Sequence, residues 1–247
     1  FAEANDYVRL KMVDELTYID QVRTKLQKLS QQDKVNFISP AELAKLDVPA
    51  SSSNDIAIYY AEGTIVDVST QSPLNSTQSE IVGSKVVSDL DKLAKDESVK
   101  AVVLRINSGG GSAYASEQMW RAVQQLKAKK PVVVSMSGMA ASGGYYLSCG
   151  ADYIVADKTT LTGSIGIFGM VPDASELLTD KLGLHFDVVK TNVSSDFGAM
   201  GRGFNAAESA AMQNYVNRGY RLFLKRVADG RKMTPEQVDK IAQGRVW

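Results

Sequence analysis

Apolar positions along this chain recur in two rhythms, one helical and one alternating, separated by short polar or glycine-rich breaks. Ile19, Val22, Leu26 and Leu29 repeat at helical spacing and predict an amphipathic helix over about residues 16–29. After Pro49, Ser51-Ser52-Ser53-Asn54 reads as a linker. A strand over residues 55–60 then leads through Glu62-Gly63-Thr64-Ile65-Val66 into a polar loop at residues 69–79. Val82, Val86, Leu90 and Leu93 predict the next helix, and Ala101-Val102-Val103-Leu104-Arg105-Ile106 a buried strand. A helix on Ala115, Met119, Ala122, Val123 and Leu126 follows, then strands at residues 132–136 and 153–156 with a short helix between them. Leu184-His185-Phe186-Asp187-Val188-Val189 alternates like a strand. Asn205 with Glu208 three residues on forms a capping box for a helix running to about Ala228, and Thr234-Pro235-Glu236-Gln237 opens another. This alternation of strand and helix predicts an α/β fold with mostly parallel pairing.

Composition narrows the class. A chain of 247 residues with 44% apolar content can bury one large α/β core or two small ones. Its 28 basic and 28 acidic residues cancel, so no global field favours nucleic acid or an anionic membrane. Cys149 stands alone, which excludes an internal disulfide and a CxxC metal site; its neighbours read as a buried helix end. No apolar run reaches the ~18 residues of a membrane span, and no basic-then-apolar signal opens the chain.

Two glycine-rich loops carry the candidate chemistry. Gly138-Met139-Ala140-Ala141-Ser142-Gly143-Gly144 follows a strand and sets a serine among residues too small to bury its hydroxyl. Asn107-Ser108-Gly109-Gly110-Gly111-Ser112 follows another strand and offers bare backbone N–H groups. The second is no Walker A loop, since Ser112-Ala113-Tyr114 stands where Lys and Ser or Thr are required, and there is no GxGxxG fingerprint. Both loops end strands, where open α/β sheets place ligands. A nucleophile beside an oxyanion hole is the pair that acyl transfer needs. Met136, Met139, Phe168 and Met170 flank the proposed site and are candidates for an apolar substrate pocket.

These segments, together with residues 151–156, Leu161-Thr162-Gly163-Ser164-Ile165-Gly166-Ile167-Phe168-Gly169 and the ending Ile241-Ala242-Gln243-Gly244-Arg245-Val246-Trp247, closely resemble the signal peptide peptidase A (protease IV) family. The resemblance covers nearly everything after about Asp55. It implies a crotonase/Clp-protease-like fold of repeated ββα units with flanking helices. It further implies Ser142 as nucleophile, oxyanion donors on Gly143 and in the Gly110-Gly111 pair, and Ser164 as the serine that orients a catalytic lysine. Neither a metal nor any other cofactor is implied. One departure stands out: the family loop usually carries proline where this chain has Gly109.

The base is the missing part. His185, the one histidine, sits on the strand-like segment and reads as structural, while Lys190 reads as a solvated charge at that segment's end. Single-copy relatives place a lysine near Ser194 and Ser195, and this chain has none there. The long form of the family joins two tandem copies, the N-terminal one supplying lysine and the C-terminal one serine. The expectation is therefore that residues 1–50 are the tail of a preceding copy plus linker and residues 51–247 a Ser-bearing peptidase domain cut short at its C-terminal end. The resemblance also implies peptide substrates such as signal-peptide remnants, a homotetrameric ring, and a bacterial inner-membrane protein anchored outside this stretch and facing the periplasm. Two other functions compete: a crotonase-like acyl-CoA enzyme, which would stabilise an enolate in the same hole, and a noncatalytic scaffold copy.

Overall fold

The computed structural model describes residues 8–9, 11, 15, 19–31, 54–71, 79–199 and 201–247. The chain divides into two compact units, Phe1–Ser51 and Ser52–Trp247. In the first, the predicted amphipathic helix is present as α1 (Ile19–Ser30), with Lys28 in its last turn where the helix dipole favours a cation. The expected linker at residues 51–53 and most of the polar loop lie outside the described residues.

The second unit is built on a parallel sheet. β1 (Asp55–Glu62) pairs with β4 (Val99–Ser108), and β4 with β5 (Val132–Ala141). The far edge of β5 takes β6 (Tyr153–Val155) along its first half and β7 (Leu161–Gly163) along its second. A smaller parallel pair joins β2 (Thr64–Val66) to β3 (Glu80–Val82). The near-continuous apolar run of β4 and β5 is what a parallel strand needs: Val102, Leu104, Ile106, Val132 and Val134 are buried against Leu90 of α2 (Gly83–Lys95) and Met119, Val123 and Leu126 of α3 (Ala113–Lys127).

A second cluster holds the C-terminal helices to the sheet's end. Tyr146 and Cys149, in and just after the short α4 (Gly143–Ser148), pack with Phe223 and Val227 of α5 (Ala206–Arg231) and Val238 of α6 (Pro235–Ile241). Both predicted caps are formed: the Asn205/Glu208 box opens α5, and Thr234 with Pro235 opens α6. Cys149 closes α4 and is buried, its thiol pushed up to about 12 by burial. Tyr146 donates to Glu117 of α3 (2.6 Å), and Arg226 of α5 also bonds that carboxylate (2.5 Å), tying three helices together behind α4.

Two expectations are corrected. Helix α5 continues three residues past Ala228, to Arg231. Residues 184–189 form no strand: they join no sheet among the described residues and are exposed on both faces. Alternation gives a segment two faces, but a strand exists only where a neighbour takes up its backbone donors and acceptors.

Candidate active site

The sheet delivers the two glycine-rich loops to one place. β4 advances from Ile106 to Ser108 while β5 advances from Met136 to Ala140, so β5 bulges at residues 137–139 just before the serine. The Arg105 guanidinium holds the bulge, donating to Ser135 Oγ (2.8 Å), the Met136 carbonyl (2.9 Å) and Ser137 Oγ (3.1 Å). Bulges re-aim the side chains beyond them, and the residue re-aimed here is Ser142.

Ser142 stands at the corner between β5 and α4 with φ 50° and ψ −119°. That conformation is strained for a residue with a Cβ, and strain of this kind persists only where the surroundings over-determine it. Here they do: the Ser142 N–H donates to the Gly163 carbonyl (3.0 Å) and the Ser142 carbonyl accepts from Tyr146 N–H (2.8 Å). The hydroxyl does not cap the helix that follows. It faces a cavity of about 990 Å³ that Gly109, Gly110, Gly111, Met139 and Ser164 also line.

Close backbone approach explains the glycines. A Cβ on Gly110 (φ 98°) would lie 2.6 Å from Gly143 N and 2.8 Å from Ser142 Cβ; one on Gly143 would lie 2.5 Å from Ser116 Oγ. The loop is thus pressed against the serine corner. Its donors are not equivalent. The Gly110 N–H is already engaged by Ser108 Oγ (3.0 Å). The Gly110 carbonyl accepts from Ile65 N–H (2.9 Å), and across that trans peptide the Gly111 N–H points the opposite way. Neither Gly111 N–H nor Gly143 N–H has a protein acceptor among the described residues. Of the expected donors, the geometry leaves Gly111 and Gly143 available and Gly110 spent.

Ser164 sits across the cavity, also at positive φ (47°). Its N–H donates to the Arg245 carbonyl (2.7 Å), and Thr162 and Trp247 exchange backbone hydrogen bonds (2.8 and 2.9 Å), so the chain's last residues brace the Ser164 turn. The pocket residues divide. Met139 and Phe168 line the cavity. Met136 does not: it is 2% exposed, on the core face of β5. Met170 does not either; it is 87% exposed and turned to solvent. Met136 is close to the serine in sequence, but the pleat of β5 sends it inward.

The far wall comes from residues that periodicity alone assigns to packing. Val216, Asn217 and Tyr220 of α5 line it, with Gln243 and Gly244. The Tyr220 hydroxyl donates to Asp239 (2.6 Å) and accepts from Gln243 N–H (3.1 Å); burial and then Asp239 raise its pKa. No lysine, histidine or carboxylate is among the described residues lining the cavity.

The lysine and histidine candidates lie elsewhere. His185 is exposed and outside the cavity. Lys190 is more than a solvated charge: it pairs with Asp196 (2.7 Å), which Arg202 also binds (2.7 Å), and Arg202 bonds Glu208 in turn (2.7 Å). Hydrogen bonds from Arg202, then Lys190, hold the Asp196 carboxyl well below the usual range, so it is no partner for a base. Asp187 is exposed and also away from the cavity. Among the described residues no His/Cys/Asp/Glu group is arranged to hold a metal ion, and no helix is long and apolar enough to cross a membrane.

Known proteins are similar to this chain in sequence. The Peptidase family S49 model matches residues 124–247, and the Clp protease model residues 65–157. "Protease 4" of Salmonella typhi is 44% identical over 203 residues, 82% of this chain and 32% of that protein. "Serine protease SPPA, chloroplastic" of Arabidopsis thaliana is 32% identical over 244 residues, 96% of this chain and 36% of that protein. "Putative signal peptide peptidase SppA" of Enterococcus faecium is 34% identical over 162 residues, covering 65% and 47%. The chain therefore spans about a third of the length of the first two of these relatives. With a serine at a strand's end lining the cavity and a family model matched from α3 to the last residue, the chain belongs to peptidase family S49.

Proposed function

We propose that this chain is the nucleophile-bearing part of a serine endopeptidase. Ser142 Oγ attacks the scissile carbonyl carbon while a base takes its proton. The N–H groups of Gly143 and Gly111 hold the resulting oxyanion, the amine leaves with a proton from the protonated base, and water hydrolyses the ester left on Ser142. The carrying observation is the Ser142 corner itself: positive φ, no cap hydrogen bond, a cavity shared with Gly111, and neither the Gly111 nor the Gly143 N–H spent on a protein acceptor among the described residues.

The base is a lysine supplied from outside this chain, by a preceding copy within the same protein, and Ser164 orients it. The absence of an ionisable nitrogen among the described cavity residues supports that assignment, as does the trapping of Lys190 by Asp196. Residues 1–50 and 51–247 are then tail-plus-linker and peptidase domain. Substrates are apolar peptides, since Met139, Ile167, Phe168 and Val216 line the cavity; the name of the Enterococcus relative fits signal-peptide remnants. A homotetramer working at the periplasmic side of a bacterial inner membrane completes the reading.

In the intact protein, Ser142→Ala should lower kcat for a peptide ester by a factor on the order of 10⁶, with the fold unchanged by circular dichroism. A peptidyl phosphonate should label Ser142. Activity within about ten-fold of the parent, or no label, would sink the assignment, and unlabelled protein that turned over an acyl-CoA would point to the enolate chemistry instead.

A further inference from the structure

We propose that Ser108 is a positioning residue that sets the aim of the oxyanion donor on Gly111. This rests on the peptidase reading above and adds a residue that the reading does not use.

Three consecutive glycines make the loop, and Gly110 and Gly111 both have positive φ (98° and 148°). Such a run has little conformational preference of its own, so its shape comes from whatever bonds its peptide groups. Among the described residues two hydrogen bonds do this within residues 109–111. Ile65 N–H donates to the Gly110 carbonyl, and the Gly110 N–H donates to Ser108 Oγ. The Ser108 hydroxyl in turn donates to the Gly63 carbonyl (2.7 Å), at the corner between β1 and β2. Ser108 is 3% exposed, so its hydroxyl has no free exchange with water. One buried oxygen therefore joins the β1–β2 corner to the peptide immediately before the oxyanion donor.

Removing that oxygen has a definite consequence. The Gly110 N–H is left buried without an acceptor, a costly state. Its most direct relief is rotation of the residue 109–110 peptide, which swings the following peptide and turns the Gly111 N–H off the line to the developing oxyanion. Gly109 adds to the sensitivity. It needs no left-handed conformation, its N–H has no protein partner among the described residues, and it follows an extended residue, all of which proline tolerates. With glycine there, the Ser108 bridge carries the restraint that a proline ring would share.

The test uses the intact protein and a peptide substrate with Ser142-dependent turnover. Ser108→Ala should lower kcat by about 10- to 100-fold, short of the roughly 10²–10³ lost when an oxyanion donor is removed outright, with KM within about two-fold. Affinity for a peptide boronic acid, whose tetrahedral adduct on Ser142 places an oxygen in the same hole, should fall in parallel. Adding Gly109→Pro to Ser108→Ala should restore at least half of the lost logarithm of kcat. A kcat within about three-fold of the parent, a loss confined to KM, or a fall that tracks a lowered melting temperature and is not relieved by Gly109→Pro would each overturn the role of Ser108. Turnover that did not depend on Ser142 would overturn the peptidase reading beneath it.

Discussion

At the residue scale, the site is organised by what is too small to be anything else. Gly110 has φ 98°, and its missing Cβ would overlap the backbone of Gly143 and the Cβ of Ser142. Gly110→Ala must therefore either strain the loop or push the serine corner away from the Gly111 donor. In the intact protein it should lower kcat/KM by about 100-fold or more, comparable to removing an oxyanion donor, and also lower the melting temperature. Gly169→Ala is the control: nothing lies within 4 Å of its added Cβ and its φ is not positive, so both measurements should match the parent. Equal behaviour of the two variants would show that contact between loop and corner does not matter. In the sequence Ser142 stood out because its neighbours are too small to bury its hydroxyl, whereas Gly111 and Gly143 entered through the family resemblance. Neither showed that the Gly110 amide is spent on Ser108, because that depends on the orientation of one peptide group.

At the scale of elements, local signals proved as reliable as the partners they needed. Capping boxes at Asn205 and Thr234 were readable because all their atoms lie within one turn. The strand expected at residues 184–189 failed because its partner lies nowhere in the local pattern, and Met136 was misplaced because the pleat, not distance along the chain, decides which face a residue takes. What holds residues 190–208 is instead an ion cluster at the start of α5. Arg202, then the Asn205 N–H, lower the Glu208 carboxyl to about 2, and Arg202 with Lys190 lowers Asp196 further. Both folded values lie below the unfolded ones of about 4.3 and 3.9. The stability they contribute is fully present above those unfolded values and is lost as pH falls through the folded ones. Unfolding at pH 5 and at pH 2.5 should therefore differ more in the parent than in Glu208→Gln, which removes one of the two titrations. Glutamine can complete the same cap of α5, as Gln237 does for α6, so the stability the variant loses at pH 5 should come from the ion pair with Arg202 and not from the helix end. Identical pH slopes in the two proteins would remove the cluster from the account.

At the scale of the whole molecule, the proposed nucleophile and hole have no lysine, histidine or carboxylate beside them among the described residues lining the cavity. The cavity's one titratable lining group among the described residues is Tyr220, which gives its proton to Asp239 in a hydrogen bond and whose pKa is raised. His185 lies outside the cavity, and Lys190 is held by Asp196. A neutral serine hydroxyl with nothing to take its proton attacks an amide too slowly to turn over. These 247 residues, expressed alone, should thus fold, as the buried sheet and the two clusters around it require, yet hydrolyse peptides at a rate near background. If the proposed preceding copy supplies the lysine, joining it should bring turnover that rises with pH through the pKa of a desolvated amine, below the ordinary lysine value of about 10.4. Replacing that lysine by methionine should remove turnover and leave the fold. Robust Ser142-dependent cleavage by the isolated chain would contradict the two-copy assignment, and the search for a base would then begin at Lys190, with Lys190→Met as its first test.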